Sequence, residues 1–285
     1  MNVLVTGGSG VIGRYVIWDL VNAHHKVTNI GRSSVDRSIS SVCLHLRGDI
    51  TNAGDVYQAI CVSKAEAVIH LGAWSNFGIV SDTRTYAENV SGTFNIFQAC
   101  ADVGIKRVIS ASSGQVYGLA KFPPHYVPMD EEHELRPVNC YALSKIAGER
   151  AAEYFIQNHG LTILSFRFMG VRIPAQLGSE IDELKRDPKS GTFLLWTRTD
   201  ARDAAVACRL AIEKPEVPSG VYNITGAEVV LPEPSLDLVK RYFGSQTEIR
   251  GILPGNSSPM SCAKAEASFG YRPRFVWSVS QKHPE

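Results

Sequence analysis

The chain has 285 residues, 29 of them basic and 28 acidic, for a formal net charge of +1. No long block of one sign marks a nucleic-acid surface or an acidic tail, and no apolar stretch reaches the ~20 residues that span a bilayer. The opening run MNVLVTGG is strand-like and has no signal-peptide n-region or h-region, so the expectation is a cytoplasmic protein acting on a small molecule, with no nucleic-acid or membrane partner.

In chain order, short β-branched runs predict strands near 2–6, 26–30, 43–47, 67–71, 107–112 and 162–168. Segments of helical period alternate with them near 11–24, 52–62, 82–103 and 139–158. This is the pattern of βαβ units around a parallel sheet, whose buried strands need not alternate in polarity. After residue 170 the rhythm changes. A polar, proline-containing stretch at 172–199 leads to a helix at about 200–213 and a strand at 220–225. The expected architecture is α/β: a Rossmann-type doubly wound parallel sheet over 1–170, rejoined by 200–226, with a small C-terminal substrate-binding lobe from 171–199 and 227–285. The six cysteines contain no Cys-x-x-Cys pair and the histidines no His-x-x-x-His, so neither a disulfide framework nor a metal site is expected.

VTGGSGVIG at 5–13 follows the first strand and opens the first helix. It fits two registers, Gly8-x-Gly10-x-x-Gly13 and Gly7-x-x-Gly10-x-x-Gly13. Glycines suit a turn that needs positive φ, admits a pyrophosphate close to its backbone, and packs a helix tightly on a strand. The phosphates would lie on the helix N-terminus, where free N–H groups attract anions. Gly7, Gly10, Val11, Ile12 and Gly13 are therefore candidate cofactor residues.

About 20 residues on, such a site often carries an acid for the adenosine ribose. Here the chain reads NIGRSS, with Gly31 at that place, followed by Arg32 and Ser33. A planar bidentate donor and a hydroxyl suit a 2′-phosphate, so NADP(H) is expected ahead of NAD(H). Arg32 as a surface arginine, or stacked on the adenine of NAD, is the alternative.

Two tyrosines have a lysine four residues later, Tyr117/Lys121 and Tyr141/Lys145. On a helix that spacing puts both on one face, where an ammonium favours the ionised phenol and lowers its pKa by roughly 1–3 units. Prolines after Tyr117 forbid a continuing helix. Tyr141 begins YALSKIAGERAAEYFIQ, with Asn139 as N-cap. Tyr141/Lys145 is the predicted acid/base pair, and Tyr117 a packing residue. SASSGQVYG at 110–118 ends the fifth strand with hydroxyls placed to meet a substrate.

Together these motifs resemble the extended short-chain dehydrogenase/reductase family, in particular its NAD-dependent epimerase/dehydratase branch: TGGSGVIG, GDI (48–50), HLGA (70–73), ENVSGT (88–93), SSGQVYG (112–118), YALSK (141–145) and SFRF (165–168), in family order. The resemblance implies that Tyr141 is the general acid/base and that Lys145 holds the nicotinamide ribose. Ser113, or Ser112 as the near alternative, would orient the substrate. Asp49 and Ile50 would meet the adenine, Leu71, Gly72 and Ala73 would line the cofactor, and Asn89 would support the cofactor-side loops. It also implies a homodimer formed through two helices per subunit.

Three departures narrow the chemistry. Where dehydratases of the branch carry an Asp-Glu pair, this chain has Gly114-Gln115. Gly170 stands near the Asn that meets a sugar nucleotide in epimerases, and Pro174 to Trp196 is short for a nucleoside diphosphate cradle. The expected function is a dehydrogenase/reductase interconverting a secondary alcohol and a ketone on a small sugar-like or polyhydroxy acid substrate, as in the family's uronate dehydrogenases. Trp74, Ser75, Ser112, Ser113, Gln115 and Arg172 are the candidate substrate residues. The alternatives are a sugar or nucleotide-sugar 4-epimerase with tightly bound NAD and, in another class, a dinucleotide-sensing regulator, which has no use for an acid/base pair.

Overall fold

The computed structural model describes residues 1–277. Its elements run β1 (Asn2–Thr6), α1 (Val11–Asn22), β2 (Lys26–Gly31), α2 (Arg37–Ser40), β3 (Leu44–Arg47), α3 (Ala53–Ser63), β4 (Ala67–His70), α4 (Asp82–Val103), β5 (Arg107–Ser113), β6 (Tyr126–Val127), α5 (Cys140–His159), β7 (Thr162–Phe168), β8 (Val171–Arg172), α6 (Pro174–Arg186), β9 (Thr199–Asp200), α7 (Ala201–Glu213), β10 (Gly220–Ile224), α8 (Ser235–Tyr242), β11 (Glu248–Ile249) and α9 (Ala263–Phe269). The six strands and four helices expected before residue 170 all form, within two residues at either end.

Seven strands make one sheet in the order β10-β7-β5-β4-β1-β2-β3. Strand β1 runs parallel to β2 on one side and β4 on the other, and β4 runs parallel to β5. Strand order therefore reverses at β1. Ligands of open α/β sheets bind at such a reversal, outside the strands' carboxyl ends. Register brings three of those ends together, since Thr6 faces both Ile30 and His70.

The chain divides into two compact units: 1–112 with 139–166 and 205–221, and 113–138 with 167–204 and 222 onward. The first unit's core joins Leu4, Val68, Val108 and Ile163 of the strands to Ile60 of α3, Phe97 of α4 and Phe155 of α5. Phe97 and Phe155 meet edge to face, with ring centroids 5.7 Å apart. That packing fixes the rotation of α5, burying its Tyr141, Ser144, Lys145 and Glu149 together.

In the second unit the stretch expected only as polar and proline-containing includes the 13-residue helix α6. Its signal was present: Pro174 at the first turn, then Leu177, Ile181 and Leu184 buried at helical spacing. Dense charge on the other face masked that stripe. Short parallel pairs, β6 with β11 and β8 with β9, complete this unit.

Candidate active site

The glycine turn is held open by its neighbours. Gly7 sits at φ +72, and a Cβ there would meet Gly72 N at 2.8 Å. A Cβ on Gly13 would strike the Gly7 carbonyl. Gly7 N donates to Ile30 O at 3.1 Å, and Gly8 N to Asn29 Oδ1 at 2.8 Å, so β2 pins the turn. Gly10 caps α1 without any side-chain acceptor, and no acid lies in the first turn. The first N–H groups of α1 are thus left to an anion. A dinucleotide pyrophosphate suits this turn: its charge matches the uncapped N-terminus of α1, which the missing Cβ atoms allow to pack close against the turn. Asn29 was not expected from the sequence. Its signal was a polar residue inside an apolar strand.

The loop after β4 is braced by side chains of the same unit. Leu71 N donates to Thr6 O, and Gly72 N to Thr6 Oγ1 at 2.9 Å. The Thr6 hydroxyl also shares a hydrogen bond with His70 Nδ1 at 2.8 Å, and His70 Nε2 shares one with Thr93 Oγ1 at 3.1 Å. His70 is held neutral by its surroundings. Burial pushes its pKa down to about 3, with the Lys145 ammonium adding to the effect. Asn89 accepts from Trp74 N at 2.8 Å and donates to Trp74 O and Ser144 Oγ, each at 3.1 Å.

Tyr141 and Lys145 lie on the buried face of α5, 7% and 8% exposed. Asn139 caps the helix by accepting from Ala142 N at 2.8 Å. Lys145 Nζ donates to Ala111 O of β5 at 2.8 Å and stands 5.6 Å from the centre of the Tyr141 ring. Burial pushes the Lys145 ammonium down to about 8, opposed by the carboxylate of Glu149. The arrangement is a buried phenol beside a cation of adjustable charge, which is the equipment for moving a proton.

The pattern of the NAD dependent epimerase/dehydratase family matches residues 3–225. The chain belongs to that family. It is 30% identical over 168 residues to the bifunctional UDP-glucose 4-epimerase and UDP-xylose 4-epimerase 3 of Arabidopsis thaliana, covering 53% of this chain and 46% of that protein. The L-arabinose 1-dehydrogenase (NAD(P)(+)) of Haloferax volcanii is 28% identical over 194 residues, 64% of this chain and 71% of that one. The chain spans about half the length of the epimerases it matches. A short-chain dehydrogenase/reductase superfamily protein from Agrobacterium tumefaciens, crystallised with NAD, shares the fold: TM-score 0.73 at 22% identity, over 96% of this chain and 93% of that one.

Several candidate residues of this family member are engaged otherwise than expected. Ser112 is buried, and its hydroxyl donates to Glu149 Oε1 at 2.6 Å instead of facing a substrate. Arg172 is gripped by Glu180, Nε to Oε2 at 2.6 Å and Nη2 to Oε1 at 3.2 Å, a carboxylate it shares with Arg198. Trp74 gives its indole N–H to Glu88 at 2.7 Å, with Arg32 stacked on its ring. Arg32 itself is thus not the free cation on which the NADP(H) expectation rested. Ser33 and Ser75 are exposed. Asp49 accepts from Thr51 N and Oγ1, both at 2.9 Å, which tightens the turn after β3, and Ile50 closes on Gly92 of α4. Cys140, which precedes Tyr141, donates to Asp82 at 3.2 Å.

The second unit holds Ser113 at the end of β5, accepting from Gln115 N at 3.2 Å. Tyr117 is fully buried and donates to Asn223 Oδ1 at 2.6 Å while accepting from Arg167 Nη1 at 3.0 Å, a structural role. Gly170 sits at φ +53, and a Cβ there would meet Leu194 Cδ1 at 2.9 Å. A Cβ at Gly114 would press on Met169 Sδ at 3.0 Å. Among the described residues no group of three or more His, Cys, Asp or Glu is placed to hold a metal ion, and no helix is long and apolar enough to cross a membrane.

Proposed function

We propose that this protein is an NAD(P)-dependent oxidoreductase that interconverts a secondary alcohol and a ketone on a small sugar-like or polyhydroxy acid substrate. The observation that carries the reading is the pairing of Tyr141 and Lys145 on the buried face of α5, with Lys145 anchored to Ala111, in the same unit as the glycine cradle. A nicotinamide dinucleotide bound at Gly7 to Gly13 would supply the hydride chemistry. Tyr141 holds or takes the proton at its phenol oxygen, and Lys145 supplies the positive charge that lets the phenol ionise. Ser113, by its motif position at the end of β5, is the proposed partner of the substrate oxygen. NAD(H) and NADP(H) both fall within this reading, but NADP(H) requires its phosphate to draw Arg32 away from carboxylates.

Glycine at position 170 favours a substrate other than a nucleotide sugar, because no asparagine side chain is available there. A 4-epimerase is the second reading, favoured by the name of the Arabidopsis thaliana relative, a bifunctional UDP-glucose 4-epimerase and UDP-xylose 4-epimerase. Denaturing the purified protein and identifying any released nucleotide separates the two. Tightly retained NAD+ indicates the epimerase. A protein free of nucleotide, and producing absorbance at 340 nm from added dinucleotide and a sugar acid, indicates the dehydrogenase.

The homodimer is likewise a proposal. Tyr86 and Phe94 of α4 and Leu143 and Tyr154 of α5 are large apolar side chains left 39–48% exposed. Light scattering tests it through the molar mass in solution.

A further inference from the structure

Arg32 follows Gly31 at the end of β2, the place from which these folds meet the adenosine ribose. Its guanidinium lies 4.3 Å from the centre of the Trp74 ring. Nη1 donates to Glu88 Oε2 at 2.9 Å and stands 3.6 Å from Asp49 Oδ2. Glu88 in turn receives Trp74 Nε1 at 2.7 Å and Arg84 Nε at 2.5 Å. Arg84 is stacked on the same indole, 5.3 Å from its centre. Two cations and two anions close into one neutral cluster that fixes the direction in which Arg32 points.

Charge balance decides what this cluster accepts. A 2′-phosphate carries negative charge and would have to break the Arg32–Glu88 bond, then lie beside two carboxylates of its own sign. A ribose hydroxyl is neutral and donates to a carboxylate oxygen, which both Glu88 and Asp49 offer. We propose that Glu88, on α4, is the residue that sets nucleotide choice: it holds Arg32 on Trp74, keeps the site selective for NAD(H), and on losing its charge releases Arg32 to receive a 2′-phosphate. Glu88 acts chiefly by positioning Arg32, and its own charge adds to the repulsion of a 2′-phosphate. The inference rests on the reading that the glycine turn binds a dinucleotide.

The test is calorimetric titration of the full chain with NAD+ and with NADP+ separately, for wild type, Glu88→Gln, Arg32→Ala and the double variant. Wild type is expected to bind NAD+ more tightly. Glu88→Gln should lower the ratio of the NADP+ to the NAD+ dissociation constant by roughly tenfold, the scale of one charge-assisted hydrogen bond. In the Arg32→Ala background the same change should move the ratio much less, by only the share that direct repulsion between the Glu88 carboxylate and the phosphate contributes. General damage to the fold weakens both nucleotides and does not move the ratio. An unchanged ratio in Glu88→Gln, or a shift that is just as large without Arg32, overturns the proposal. A wild-type protein that binds neither nucleotide overturns the dinucleotide reading itself.

Discussion

The Ser112 hydroxyl donates to Glu149 Oε1 across 2.6 Å in the interior, one helical turn beyond Lys145. The contact ties the end of β5 to the helix that carries the acid/base pair. It also gives adjacent serines different tasks. Ser112→Ala removes a buried donor to a carboxylate and should cost about 1–3 kcal/mol in a denaturant melt, with little change in the Michaelis constant. Ser113→Ala should lower kcat by about 10²-fold at nearly unaltered stability. The reverse assignment of effects would exchange the two roles.

Tyr141→Phe removes the phenol oxygen and keeps the ring. Turnover should fall by at least about 10²-fold, the usual worth of a positioned proton carrier. Dinucleotide binding, followed by titration, should persist. Activity surviving this change would sink the mechanism.

Lys145 is charged below about pH 8 and neutral above it, because burial outweighs the pull of Glu149. A step that needs the ammonium should fade on the alkaline side, so kcat/KM measured from pH 6 to 10 should break downward near pH 8. A profile flat to pH 10 would show that the charge of Lys145 is not used.

His70 is neutral in the fold, with its pKa lowered from 6.5 to about 3. The unfolded chain takes up a proton as pH falls through 6.5, whereas the folded chain does not until about 3. Its contribution is complete above pH 6.5 and is lost as pH falls toward 3, by up to roughly 1.4 kcal/mol per unit. Asp203, raised to about 6 by burial, acts in the opposite sense: its contribution is present below 3.8 and lost as pH rises through 6. The measurement is therefore a comparison of wild type with His70→Gln between pH 7 and 4.5. The variant should be less stable at pH 7, and the gap should narrow as pH falls. A gap independent of pH would mean that the imidazole titrates freely.

Glu180 receives both Arg172 and Arg198, the latter 2% exposed and 2.7 Å away. Glu180→Gln leaves a buried guanidinium without its counter-charge and should destabilise by about 3–5 kcal/mol. Arg172→Ala keeps the Arg198 pair and should cost about 1 kcal/mol or less. Equal losses in chemical denaturation would contradict this division.

Strands β1 to β5 and helices α1, α3, α4 and α5 were legible because each rests on local signals: β-branched runs, a 3.6-residue stripe, the Asn139 cap, the glycine turn. Tyr141 and Lys145 were legible for the same reason, since four residues on a helix is one face. The sequence by itself determined the family, the sheet's element order and this pair. Only the tertiary structure decided which charges meet. Arg32 reads as a free cation until α4 brings Glu88 to it, Arg172 until α6 brings Glu180, and Ser112 until α5 brings Glu149. These partners lie 56, 8 and 37 positions away in the chain. Electrostatic and hydrogen-bonded pairing depends on distance in space, to which periodicity and spacing along the chain are blind.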